Sequence, residues 1–282
     1  MTTTAIRNAM TIDVEDYFQV SAFAPHIDRA SWPLRECRVE ANVERILSVL
    51  HDSRVHATFF TLGWIAERYP QMVRRIVAGG HELASHGYGH ERASAQDYAS
   101  FYADILRSKQ ILEDLGRQPV LGYRAPSFSI GAVNPWAHGA LHRAGYRYSS
   151  SVYPIRHDHY GMPLAPRFAF HPDGEPGLLE VPITTVRLLR RNLPAGGGGY
   201  FRLMPYSMSR WMVRQVNRAD RQPAIFYFHP WEIDPDQPRP GGLHWKTSFR
   251  HYVNLARTES RIRALLRDFS WGRMDHLFLA QP

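Results

Sequence analysis

The feature that most constrains this chain is an alternation, repeated along most of its length, of short apolar or β-branched runs with longer segments of helical period. Asn8 to Val14, Ala57 to Thr61, His81 to Ser85, Pro119 to Tyr123, Tyr146 to Tyr148, Leu178 to Ile183 and Ala224 to Phe228 read as strands. The last of these is continuously apolar, as a strand buried on both faces must be. Between them, periodicity predicts helices near Val39 to His51, Ile65 to Val77, Tyr98 to Leu112, Pro135 to Ala144 and Pro205 to Asn217, with a final amphipathic helix near Phe249 to Phe269. Strands joined through helices run parallel, so the expected class is α/β, with covering helices and a sheet closed as a complete or incomplete (β/α) barrel rather than open and doubly wound.

Neither an internal repeat nor a low-complexity tract divides the 282 residues, so residues 1–282 are expected to form a single domain with a distinct C-terminal segment at about 234–282. A chain with 44% hydrophobic residues can fill such a core, which excludes a disordered or fibrous protein. No run of about 18 apolar residues occurs, so no transmembrane segment is expected, and Met1 to Met10 lacks the apolar core of a signal sequence. A cytoplasmic location is the corresponding expectation. Cys37 is the only cysteine, which rules out an internal disulfide and a zinc site built from several thiolates. Any metal must be held by His, Asp or Glu. The net charge of +8 comes from dispersed arginines, of which Arg187, Arg190 and Arg191 form the densest group, and no nucleic-acid motif accompanies them. Nucleic acid is therefore not an expected partner.

In a parallel barrel the C-terminal ends of the strands form the active-site mouth. The first strand ends in Asp13, Glu15 and Asp16, and strand alternation puts Asp13 and Glu15 on one face. His86 and His90 follow the strand His81 to Ser85 as an HxxxH pair, whose imidazoles can chelate one cation from a single helical turn. His81 reads as a structural strand residue. Two histidines with one carboxylate suit a catalytic Zn²⁺, although other divalent ions accept the same set. A hydrolase also needs a base and an acid, for which Asp13 beside the metal and His229 at the end of Ala224 to Phe228 are the candidates. His157, Asp158 and His159 are too close in sequence to converge easily on one ion and read as substrate-contacting or loop-pinning residues. Gly196 to Gly199 lacks the GK[ST] of a nucleotide loop and reads as a flexible lid or a close backbone contact. Trp231 is a candidate for stacking on a sugar face, with core packing as an equal alternative.

Taken in order, TIDVED, HGYGH, GYRAPSF and YFHPWEID resemble the motifs of the NodB-type polysaccharide deacetylases, carbohydrate esterase family 4. The RHDHYG and PAGGGGYFRL segments and the extended C-terminus further resemble the members encoded beside exopolysaccharide and PEP-CTERM sorting genes. This resemblance, which spans essentially the whole chain, implies an incomplete or distorted seven-stranded NodB-type barrel. It also implies a metal-dependent hydrolase of N-acetyl groups on an amino-sugar polysaccharide, or on its lipid-linked precursor, in exopolysaccharide biosynthesis. Carried over by residue, it makes Asp13 the base, His229 the acid, and His86 and His90 metal ligands. Arg124, from the RxP motif, would orient the base. Familiar members place the metal-binding aspartate directly after the base. Val14 stands there in this chain, so Glu15 becomes the first choice for the third ligand and Asp16 the reserve. Ser127 stands where an aromatic residue usually follows the proline and helps hold the oxyanion, and Tyr148 is followed by three serines rather than by an aspartate to pair with the acid. Hydrolysis of a cyclic amide or other small C–N substrate is the alternative activity, followed by non-catalytic glycan binding; the sequence leaves open whether the protein is an oligomer.

Overall fold

A computed structural model describes residues 6–157, 161–172 and 177–279. Its sheet contains β1 (Arg7–Val14), β2 (Thr58–Thr61), β3 (Glu82–Ser85), β4 (Gly122–Tyr123), β5 (Tyr148–Ser149), β6 (Leu179–Glu180) and β9 (Ile225–Phe228). These seven strands curl in the order β9-β1-β2-β3-β4-β5-β6, every pair parallel, into an incomplete barrel covered by helices. Seven of the eight residues of β1 are buried, as are all four of β2, β3 and β9, because helices cover the outer face and side chains fill the inner one. The helices are α1 (Val39–Asp52), α2 (Gly63–Arg68), α3 (Pro70–Ala78), α4 (Tyr98–Gly116), α5 (Trp136–Arg143), α6 (Gly198–Leu203), α7 (Tyr206–Gln215), α8 (Trp245–Tyr252), α9 (Leu255–Asp268) and α10 (Met274–Phe278).

The gap between β6 and β9 is bridged by a hairpin that periodicity did not indicate, β7 (Thr185–Leu188) with β8 (Arg191–Pro194). Ala195 N donates to Thr184 O to close its base, which is tied to β9: Tyr227 N donates to Gly196 O at 2.7 Å and Ile225 N to Thr184 Oγ1 at 2.5 Å. The glycine run that follows is not a loose lid. Gly197 has φ +118°, and a Cβ there would lie 2.0 Å from Tyr227 O, so only glycine allows the backbone to meet β9 this closely. The close-contact alternative for Gly196 to Gly199 is therefore the one realised.

Two expected helices are each broken in two. Ile65 to Val77 is interrupted at Tyr69 (φ −125°, ψ 58°), because the ring of Pro70 disfavours helical backbone at the residue before it. Phe249 to Phe269 is interrupted at Asn254, which is left-handed at φ 56°. A short strand, β10 (Ser270–Gly272), follows α9 and pairs with the start of β1. Between β1 and α1 the chain runs through 3-10 turns that bury Tyr17, Phe18, Phe23, Ile27 and Trp32 with Trp231 and Leu255, a separate apolar cluster beside the barrel mouth.

Candidate active site

The mouth of the barrel brings together residues from four strand ends. Glu15 follows β1, and His86 and His90 follow β3; one donor atom from each lies within 4.8 Å of the others. All three side chains are buried. The histidines do not lie on a helical turn, as their spacing suggested. HGYGH is a loop with Gly87 at φ +78° and His90 at φ 53°, and its carbonyls accept from the start of α2 through Gly63 N to Gly87 O and Trp64 N to Tyr88 O. The loop still places the two imidazole centroids 5.3 Å apart.

Hydrogen bonds fix how these ligands face. His86 Nδ1–H donates to Arg124 O at 2.8 Å, which leaves Nε2 as its free lone pair. Burial pushes the His86 imidazole down to about 4, so it is neutral, as a metal ligand must be. Glu15 accepts from Trp231 Nε1 at 3.1 Å and lies 2.7 Å from His90 Nε2. Burial opposes ionisation of Glu15, but the imidazoles of His90, His229 and His86 outweigh it and hold this carboxyl well below its usual range. A buried set of two imidazoles and one carboxylate fits a divalent transition metal.

Asp16 has a different task. Its Oδ1 accepts from Tyr17 N at 2.8 Å, and its Oδ2 accepts from Arg38 N and Val39 N at 2.8 and 2.9 Å, at the start of α1. Three backbone donors occupy both oxygens, so Asp16 does not join the Glu15, His86 and His90 group. It ties the β1 end to a helix N-terminus.

Asp13 and His229 flank that group. Arg124, fully buried, donates from Nη1 to Asp13 Oδ1 at 2.6 Å and to Thr11 Oγ1 at 2.7 Å, and from Nε and Nη2 to Ser150 O and Oγ. Its Cζ also lies 4.1 Å from the Phe60 ring centroid. This fork uses Asp13 Oδ1 and leaves Oδ2, which lies 4.0 Å from His229 Nε2. His229 Nε2 is also 3.5 Å from Glu15 Oε1, and its side chain remains 18% exposed, so it reaches the open mouth.

The carboxylate that pairs with His229 is Glu232, three residues on, which sequence reasoning missed. His229 Nδ1–H donates to Glu232 Oε1 at 2.7 Å, and Arg202 Nε donates to Glu232 Oε2 at 2.6 Å. The signal was present in HPWE: Pro230 starts a 3-10 turn that folds Glu232 back onto His229. Burial opposes charge on His229, but Glu15, Glu232 and Asp13 prevail and raise it to about 9. Trp231 is 5% exposed and stacked between His229 (4.9 Å) and His251 (4.3 Å), so it packs in the core rather than presenting a face to a sugar.

His81 accepts from Ala57 N through Nδ1 and packs edge-on against Phe59, a structural role. Asp158 and His159 lie outside the described residues; His157 lines a cleft beside Tyr227. After Pro126, Ser127 and Phe128 are both left-handed, at φ 55° and 49°, and Ser127 Oγ lies 2.6 Å from Ser21 Oγ. A cleft of about 760 Å³ starts at His90 and is lined by Gln19, Ser21, Arg29, Trp32 and Arg92 among others. Two of its lining side chains, Gln19 and Trp32, are buried and carry donors, Nε2 and Nε1, without an acceptor among the described residues.

Residues 31–149 match the family model of the polysaccharide deacetylases, and residues 150–279 match a domain of unknown function, DUF3473. A peptidoglycan deacetylase of Helicobacter pylori is 27% identical over 113 residues, 40% of this chain and 38% of that protein. A peptidoglycan-N-acetylglucosamine deacetylase of Bacillus cereus is 30% identical over 103 residues, 36% of this chain and 46% of that one. A chitooligosaccharide deacetylase of Sinorhizobium fredii is 50% identical over 67 residues, 24% of this chain and 31% of that one. The chain thus spans less than half the length of these relatives. A crystal structure from Mycobacterium smegmatis, assigned to the polysaccharide deacetylases, superposes with a TM-score of 0.60 at 20% identity, over 96% of this chain and 88% of that one, and has the same fold.

Proposed function

We propose that this chain, which carries a polysaccharide deacetylase domain, hydrolyses N-acetyl groups of an amino-sugar polysaccharide or its lipid-linked precursor. The observation that carries the reading is the pairing at the barrel mouth: a carboxylate fixed by Arg124 and an imidazole fixed by Glu232 flank the Glu15, His86 and His90 group. A divalent cation held by those three residues, Zn²⁺ in this proposal, would supply Lewis acidity and lower the pKa of water. Asp13 Oδ2, left over by the Arg124 fork, takes the proton from the attacking water. His229, protonated through neutrality by its surrounding carboxylates, gives the Nε2 proton to the departing amine. Acetate and a free amino sugar result.

The cleft of about 760 Å³ beginning at His90 favours an extended glycan over a small cyclic amide, because it continues well past the reacting centre. A place in exopolysaccharide biosynthesis rests on the resemblance of RHDHYG and PAGGGGYFRL to proteins of such loci. The test is acetate release from N-acetylglucosamine oligomers by the zinc-loaded protein. Asp13→Asn and His229→Ala are each expected to lower kcat by roughly 10²–10⁴, and a folded variant as active as the parent refutes the assignment.

A further inference from the structure

Beside the candidate site lies a second cleft of about 490 Å³. Tyr227 forms part of its wall and meets the His229 ring edge-on at 5.7 Å, so the cleft adjoins the proposed acid. Its other walls come from α6 (Gly199, Leu203) and α8 (Trp245, Lys246, Phe249, Arg250). Trp245, Phe249 and Leu203 are 68%, 54% and 53% exposed, an arrangement with no packing purpose in the isolated chain.

The chemistry of this surface is one-sided. Residues 181–219 and 237–258, which supply α6, α8 and their flanks, contain no Asp or Glu. Among the described residues the Lys and Arg side chains lining the cleft, Lys246 and Arg250, are both exposed, and no carboxylate lines it. A sugar subsite would ordinarily add carboxylate or carboxamide acceptors to its aromatic faces, and among the described residues this lining has none. Exposed Trp and Phe one helical turn apart, each followed by a cation, are instead what a helix lying in a lipid headgroup layer presents: rings at the interface and cationic stems reaching phosphates.

We propose that α8 and the adjoining cleft dock on the anionic lipid surface of a membrane, with Trp245, Phe249 and Leu203 entering the headgroup boundary and Lys246 and Arg250 contacting lipid phosphates. Docking in this way holds the barrel mouth next to the bilayer, where a glycan attached to lipid is presented. No helix among the described residues is long and apolar enough to cross a membrane, so the contact is peripheral.

The test uses the full chain and vesicles, and it needs no deacetylase activity, so its outcome is independent of the proposed reaction. Co-sedimentation with phosphatidylcholine vesicles containing phosphatidylglycerol should exceed that with pure phosphatidylcholine and fall as salt rises. The exposed substitutions Trp245→Ser with Phe249→Ser, and Lys246→Gln with Arg250→Gln, should each lower partitioning by roughly tenfold or more while circular dichroism stays unchanged. Absent or lipid-independent sedimentation, or folded variants that bind vesicles like the parent, would overturn the proposal. So would a weakened affinity of the Trp245/Phe249 variant for soluble N-acetylglucosamine oligomers with unaltered vesicle binding, which would make the cleft a sugar subsite.

Discussion

Replacing Glu232 by Gln tests how His229 is held. Glu232 is 1% exposed, receives His229 Nδ1–H at 2.7 Å, and lines neither cleft, so it can affect the reaction only through the imidazole. A buried hydrogen bond to a charged group contributes about 1.5–3 kcal/mol. Lost where His229 must carry and deliver a proton, that corresponds to a fall in kcat of roughly 10- to 150-fold, with KM little changed. The pH profile should move as well. Glu232 is among the groups that raise His229 to about 9 against the effect of burial, so without its charge the imidazole deprotonates at lower pH and the alkaline limb of kcat shifts acidward. Arg202 complicates the variant, because losing the partner of a buried charge costs about 3–5 kcal/mol of stability. Thermal melts therefore accompany kinetics of acetate release across the alkaline range. A folded Glu232→Gln protein with kcat within a factor of about two of the parent and an unmoved alkaline limb would refute the orienting role.

Glu15→Ala, His86→Ala and His90→Ala are each expected to abolish stoichiometric zinc binding in elemental analysis, and chelation to stop acetate release. Asp16→Asn should keep the metal and lose about 1–2 kcal/mol of stability, the worth of a helix cap; an Asp16→Asn protein that loses zinc but melts like the parent would reverse these assignments. Gln19→Ala and Trp32→Phe should raise KM for N-acetylglucosamine oligomers and leave kcat nearly intact, and an unchanged KM in both would detach the His90 cleft from substrate. Burial, and then the neighbouring Asp275, raise the Glu82 carboxyl above its usual 4.5, while Thr58, the Asp275 backbone N–H and Tyr148 hydrogen-bond to it. Its folded form therefore holds a proton more tightly than its unfolded form, and stability present below pH 4.5 declines as pH rises through the folded value. Glu82→Gln should flatten that decline in denaturant titrations, and equal slopes for both proteins would refute it.

How much of this was legible in the sequence follows from the range of the forces involved. The central strands of the barrel were readable because both of their faces are buried, which forces apolar runs such as Ala224 to Phe228. Asp13, Glu15, His86, His90, Arg124 and His229 could be singled out as candidates because each stands at a strand end or in the loop that follows one, the side of the sheet that faces the mouth. Glu232 escaped notice because its partnership depends on a 3-10 turn started by Pro230, a local geometry that strand-end reasoning does not reach. The hairpin from Thr185 to Pro194 escaped for the opposite reason. Only Thr185 and Val186 of its eight strand residues are buried, so no alternation marks it, and its place is set by distant contacts of Thr184 and Gly196. Choosing between Glu15 and Asp16 required seeing that the start of α1 lies over Asp16, a contact 22 residues away.

The two family matches meet between residues 149 and 150, and the structure gives that boundary a physical meaning. It falls at the end of β5, inside the sheet: β6 pairs with β5, and β9 and β10 pair with β1. Among the described residues β6 and β9 do not pair with each other, so β6, β9 and β10 have their sheet partners in the other part of the chain, while β7 and β8 pair with each other. That region cannot form the barrel alone, and the polysaccharide deacetylase match without it lacks His229, Glu232 and Arg202. The C-terminal helices do more than cover β9. Arg202, which holds Glu232, donates in turn to the carbonyls of His251 and Val253, and the His251 ring lies against Trp231, which lies against His229. Proton donor and proton acceptor of the proposed reaction thus come from opposite sides of a boundary that divides the sequence but not the fold, and the extended C-terminus is the buttress that keeps the donor aimed.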